Sequence, residues 1–231
     1  AGDALDGTGT CNIAAGLNAL GAATSGDDNI ALGRLALGAG VTTGNDNIAI
    51  GSTAGDALTS GHSNIAIGKD AYGAATIGIK NIMIGCNVAN GITTGQADEN
   101  IAIGTYALTG NASTTGNRNV AIGYAAFDAI TTGACNIAIG ENALGASTTG
   151  LQNIAIGRLA LGGADTTGAD NIAMGTNSAD AMTSGACNIA IGYTALSAAT
   201  NNNNNVAIGN NALAASVNDG DNNIAIGVTA M

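Results

Sequence analysis

The sequence predicts an all-β fold, a parallel β-solenoid (β-roll) of about 13 coils with 17–19 residues per coil, running as a single repeat array over residues 1–231. Three observations carry that expectation. The block Asn-Ile-Ala-Ile-Gly recurs thirteen times with small variations, led by Asn12, Asn29, Asn47, Asn64, Asn81, Asn100, Asn119, Asn136, Asn153, Asn171, Asn188, Asn205 and Asn223. Its mean spacing of about 17.6 residues is too short for a leucine-rich or paired-helix repeat, which need roughly 20 to 30 residues or more. The residues that usually fill a thick interior are also missing, with Trp 0 and Phe 1 in 231, while the 46% apolar fraction is mostly Ala and Ile. Such a chain must bury a thin core many times over.

The strand opens each coil. In Asn136-Ile137-Ala138-Ile139-Gly140 the two Ile alternate with Ala, so they point to one face and Ala138 to the other. The residue after Asn is Ile or Val, and the middle residue is Ala in every copy except Met83, which implies a narrow site. The invariant Gly at the end is expected at a corner, where the backbone needs positive φ or approaches a neighbouring strand closely. Three residues on comes a small residue, nearly always Ala (Ala107, Ala143, Ala195), then usually a large apolar one such as Leu144, Phe127 or Tyr72, and this pair is expected to form a second short strand. A variable segment follows, ending in Thr-Thr-Gly or a relative (Thr42-Thr43-Gly44, Thr131-Thr132-Gly133), and it holds the length differences expected of a loop. Gly stands three residues before the next Asn in most coils. Gly95 is five before, and Asn202 replaces Gly once, which suggests a left-handed turn because Asn tolerates that geometry best among non-Gly residues.

Stacked coils would bring the thirteen leading asparagines to about 4.7–4.9 Å, where side-chain amides can hydrogen-bond along a column. A purely turn-forming role would admit Asp or Ser at some copies, and none appears. Which face lines the lumen stays open: inward Ile would leave Ala outside, whereas inward Ala would expose some two dozen large apolar side chains and demand partners.

Charge excludes some classes. Five Lys+Arg against sixteen Asp+Glu leave a formal −11, which suits neither nucleic acid nor an anionic membrane, and Gly, Asn or Asp interrupts every apolar run well short of a membrane span. A mean hydropathy of +0.27 with so much Ile argues against disorder. Cys11, Cys86, Cys135 and Cys187 form no Cys-x-x-Cys pair. Cys135 and Cys187 lie three coils or about 14 Å apart, beyond the roughly 7 Å reach of a disulfide, so buried or interchain thiols are expected. His62 reads as loop decoration, and no enzyme activity and no cofactor are expected. Asp27-Asp28, Asp46, Asp98-Glu99, Asp170, Asp219 and Asp221 cluster before the leading Asn, where a carboxylate column could attract Ca²⁺, although a solvated acidic edge is the simpler reading. Asn111-Ala112-Ser113 is an N-glycosylation sequon. The Thr-Thr-Gly column suggests an alternative, a ligand- or ice-binding face, but adjacent threonines point to opposite sides and only one column could lie flat.

The pattern N-I-A-I-G-x-x-A-L…T-T-G resembles the head repeats of YadA-like trimeric autotransporter adhesins and the related repeats of phage tail fibres, over essentially all 231 residues, though the family's head coil is nearer fourteen residues. The resemblance implies a non-catalytic structural fibre or adhesin segment, a homotrimer, and an extracellular location at a cell or virion surface. Separately, Ala1-Gly2-Asp3-Ala4-Leu5 matches Ala54-Gly55-Asp56-Ala57-Leu58, and the end at Gly227–Met231 has nearly the preceding phase. Either the segment belongs to a longer array or copies stack head to tail into a filament by strand addition.

Overall fold

In the computed structural model of the chain, residues 9–22, 25–93, 96–215 and 220–231 are described. Ala1–Leu5, Gly95 and Asp219, which enter the sequence-based expectations, lie outside them. The fold is all-β: thirteen parallel three-residue strands, one per coil, stacked as a β-solenoid. The chain divides into two compact units, Ala1–Asn117 and Arg118–Met231. The first holds β1 (Ile13–Ala15), β2 (Ile30–Leu32), β3 (Ile48–Ile50), β4 (Ile65–Ile67), β5 (Ile82–Ile84) and β6 (Ile101–Ile103). The second holds β7 (Val120–Ile122), β8 (Ile137–Ile139), β9 (Ile154–Ile156), β10 (Ile172–Met174), β11 (Ile189–Ile191), β12 (Val206–Ile208) and β13 (Ile224–Ile226). Within each unit neighbouring strands pair in strict register, Ile on Ile and Ala on Ala, as in Ile48↔Ile65 with Ala49↔Ala66 and Ile137↔Ile154 with Ala138↔Ala155.

The open question of which face is inside has a clear answer. The middle residue of the strand is buried from β2 to β13, with Ala31, Ala102, Ala138 and Met83 all at 0% exposure, whereas the flanking Ile side chains are half-buried or exposed. Ala lines the lumen and Ile forms the outer surface.

Among the described residues the expected second strand is absent. After the corner Gly the chain makes two consecutive turns instead, with Ala143 N donating to Gly140 O at 3.3 Å and Gly145 N to Asn142 O at 3.1 Å. Asn142 and Leu144 adopt φ of 52° and 51°. Asn tolerates left-handed geometry, but it is uncommon for Leu. Here neighbouring coils hold it in place, since Asn142 N donates to Tyr124 O at 3.0 Å and Leu144 N to Ala160 O at 3.0 Å. The corner Gly meets both of its expected demands: Gly51 has φ 140° and a Cβ there would lie 2.3 Å from Gly68 O.

The Gly three before each Asn was expected to be left-handed, and it is not among the positive-φ residues. Space excludes a side chain there instead. A Cβ on Gly44 would sit 1.9 Å from Gly61 O, and one on Gly150 would lie 2.9 Å from Asn153 Nδ2.

The lumen has room for about one large side chain per coil, and two positions share that task. Tyr72, Leu144 and Leu196, four residues past the corner Gly, are matched seven past it by Ala75, Ser147 and Ala199. Where the first position is small, as in Gly55, Ala89 and Ala179, the second is large: Leu58, Ile92 and Met182. The coil of Asn119 alone among these carries two, Phe127 and Ile130, and the next residue along the Ile130 column is Ser147. Leu58→Ala should therefore cost about 2–5 kcal/mol as an unfilled cavity. Adding Gly55→Leu should recover most of that loss in urea unfolding, because Leu37 and Leu108 already occupy the same left-handed position at φ 47° and 51°.

Candidate functional site

Two polar columns and one apolar face make up the features that could serve a function. The inner column is the leading asparagines. Asn29, Asn47, Asn64, Asn81, Asn100, Asn119, Asn136, Asn153, Asn171, Asn188 and Asn205 are buried, Asn12 is half-buried and Asn223 is exposed. Asn47, Asn64, Asn81, Asn100, Asn136, Asn171 and Asn188 share one full set of bonds. Asn136 donates its backbone N–H to Asn119 Oδ1 at 2.9 Å, and its Nδ2 donates to Asn119 Oδ1 at 3.1 Å and to Gly150 O at 2.8 Å. Asn47 repeats the set on Asn29 Oδ1 (2.9 and 3.1 Å) and Gly61 O (2.9 Å). Each of these side chains thus uses both its donor and its acceptor capacity, tying the strand of one coil to the preceding Asn and to the turn of the following coil. Asp lacks the donor and Ser lacks the second group, which accounts for the unbroken column. The turn acceptor is a backbone carbonyl, so Ala97 and Asn202 serve where Gly is absent, at 2.8 and 2.7 Å from Asn81 Nδ2 and Asn188 Nδ2.

A second column escaped the sequence reading. In six coils the residue two before the leading Asn is Asp or Asn (Asp27, Asn45, Asp98, Asn117, Asn203 and Asp221), and its side chain accepts a hydrogen bond from a backbone N–H of the preceding coil. Thr10 N donates to Asp27 Oδ1 at 2.6 Å, Asp27 N to Asn45 Oδ1 at 2.8 Å, Ile79 N to Asp98 Oδ1 at 2.9 Å, Asp98 N to Asn117 Oδ1 at 2.7 Å and Asn203 N to Asp221 Oδ1 at 2.6 Å. Only an acceptor is required here, so Asp and Asn interchange, and that interchange was the available signal. Three of the acidic residues considered for Ca²⁺ are engaged in this way. Among the described residues no three His, Cys, Asp or Glu side chains converge as a metal site would require. The amide and hydroxyl of Thr10 hold the Asp27 carboxyl below its usual pKa.

The thiols are free, and they are not buried as one reading expected: Cys11, Cys135 and Cys187 are exposed and Cys86 is half-buried. The residue before the leading Asn is left-handed and solvent-facing, which carries those three outward, with φ of 59° at Cys135 and 58° at Cys187. His62 is exposed beside Ser63, 3.3 Å from its hydroxyl. The threonines do not form a free flat array. Thr59, Thr76, Thr131 and Thr183 donate their hydroxyls to backbone carbonyls of the next coil at 2.9–3.0 Å, and Thr42, Thr114 and Thr166 are buried. An ice- or ligand-binding threonine face is not favoured by that arrangement.

The apolar face is the outer surface of the strands, where Ile50, Ile103 and Met174 reach 36–39% exposure. Six strands in the first unit and seven in the second, at about 4.8 Å spacing and about 10 Å strand length, give apolar faces of roughly 290 and 340 Å². No helix among the described residues is long and apolar enough to cross a membrane. The chain matches no family model, no curated protein and no solved structure.

Replacing Asn136 with Ala should cost about 1–3 kcal/mol, because it leaves Asn153 N–H and the Gly150 carbonyl without their partner. Asn136→Asp should be worse at pH 7 than at pH 4, since a carboxylate would face Asn119 Oδ1 and that carbonyl; chemical unfolding at the two pH values measures both. Burial raises the carboxyl pKa of Asp56, Asp128 and Asp180 above the usual 3.8, with the nearby Asp70 charge adding to the effect on Asp56. Just above pH 3.8 the folded chain therefore binds more protons than the unfolded one at these sites, so they lower stability as pH rises through that window and do so fully at neutral pH. The Asp56→Asn, Asp128→Asn, Asp180→Asn triple variant should melt higher than the parent at pH 7 and gain less on acidification.

Proposed function

We propose that this chain is a non-catalytic structural segment of an extracellular fibre or adhesin, built to pack against copies of itself through its isoleucine face. The observation that carries the reading is the inward Ala. Because Ala fills the lumen, the Ile columns are left on the outside as a continuous apolar strip in each unit. Soluble monomers rarely expose contiguous apolar patches beyond a few hundred Å². The faces of the two units, roughly 290 and 340 Å², each reach the few-hundred-Å² size at which an apolar patch often serves an interaction.

Rigidity supports the same reading. Every coil hands its backbone and its Asn side chain to the next, so the fold resists bending locally without any large core. The resemblance of the N-I-A-I-G pattern to adhesin-head and tail-fibre repeats agrees with such a role and favours three chains and a place at a cell or virion surface. Sedimentation equilibrium should give an oligomer, with three chains as the expected stoichiometry. The Ile67→Lys, Ile156→Lys double variant should retain the parent's circular dichroism and sediment at 22 kDa. A parent that is itself monomeric at high concentration would refute the reading.

A further inference from the structure

Of the 29 asparagines in the chain only Asn111 is followed two residues later by Ser or Thr, in Asn111-Ala112-Ser113, so a modification that requires that pattern has a single address. The segment belongs to the coil led by Asn100, whose 19 residues exceed the commonest spacing of 17 by two. The additional length is spent at the surface. Gly110 turns the chain at φ 62°, Asn111, Ala112 and Ser113 are all exposed, and Thr114 is buried again. Unlike the asparagines of the two columns, Asn111 uses its side chain locally. Its Oδ1 accepts from Ser113 N at 3.0 Å, while its backbone N–H donates to Thr114 Oγ1 at 2.8 Å. Asn111 Nδ2 and the Ser113 hydroxyl make no hydrogen bond among the described residues, so both are open to a partner from solvent.

We infer that Asn111 is an acceptor site for N-linked glycosylation, with a glycosyl diphosphate as the co-substrate. The Asn-x-Ser pattern supplies the amide and the hydroxyl that a glycan transferase reads together. In the transfer Asn111 Nδ2 attacks the anomeric carbon of the sugar. The carbon–nitrogen bond forms as the carbon–oxygen bond to the diphosphate breaks, the diphosphate leaves with the electron pair, and a base of the transferase takes one amide proton. The fold suits that chemistry here and at no ladder position. At Asn136 the same nitrogen is buried and already donates to Asn119 Oδ1 and Gly150 O, so a sugar there would break the inter-coil bonds. At Asn111 it costs none. The site also lies in the loop of its coil and outside β6, which places a bulky hydrophilic glycan in solvent and leaves the isoleucine strip uncovered. The inference therefore stands apart from self-packing and holds for a monomer as for an oligomer.

The test offers the folded full chain to two transferases, one supplied with a lipid-linked oligosaccharide diphosphate and one with a nucleotide diphosphate sugar, and reads intact mass and peptide fragmentation. The chain should gain one glycan, located on Asn111, in at least one arm, and the arm that works identifies the donor. Ser113→Ala should abolish the gain and Ser113→Thr should keep it. Both substitutions fall on an exposed side chain that bonds to nothing in the fold, so circular dichroism should match the parent. A peptide spanning residues 107–116, run alongside, establishes that each transferase is active. A peptide that is glycosylated while the folded chain keeps its mass in both arms overturns the site, and so does a glycan that persists on the Ser113→Ala variant.

Discussion

The width of the lumen is the constraint from which the rest of the structure follows. A coil of 17 to 19 residues closes around a space that takes an Ala from the strand, an Ala from the first turn and one large side chain. Packing at interior density leaves no slack for a second branched residue from the strand. The Ile pairs are therefore excluded to the outside, although they are the most apolar side chains in each coil. The same limit explains why the large residue alternates between two positions, and why the glycines that touch the next coil's carbonyls cannot carry a Cβ.

Hydrogen bonding supplies what so thin a core cannot. The inner Asn column needs a side chain that accepts and donates at once, and buried groups left half-satisfied would be costly. The outer column needs an acceptor alone and sits in solvent, so Asp is as useful as Asn. The inner column runs through all thirteen coils and the outer acceptors occur in six of them; together they add inter-coil bonds beside a strand only three residues long. The left-handed residues rely on the same inter-coil bonds, which is why Leu, Tyr and Phe are tolerated at φ near 50°.

Charge is distributed to match. Acidic side chains occur on loops and turns as well as at the borders of the isoleucine face, whereas the few cationic ones are confined to those borders. A net charge of −11 keeps copies apart in general.

Period, strand position and the special status of the leading Asn were legible in the sequence, because each is a local property repeated thirteen times: alternation defines the strand, and a residue that admits neither Asp nor Ser signals a two-sided bond. The Asp and Asn acceptors two residues earlier recur in only six coils and read as ordinary loop polarity until their acceptor role is seen. What the sequence could not decide was which side of the strand faces in, since alternation assigns Ile and Ala to opposite faces without saying which is enclosed. The second strand was misread for a related reason. Leu144 has no local preference for the left-handed region and Asn142 no more than a tolerance of it, and the amide bonds to Tyr124 and Ala160 in the neighbouring coils hold both there. Sequence alone determined what repeats and where the strand lies; coil closure, through the space it leaves and the backbone groups it brings together, decided which residues are core and which are surface.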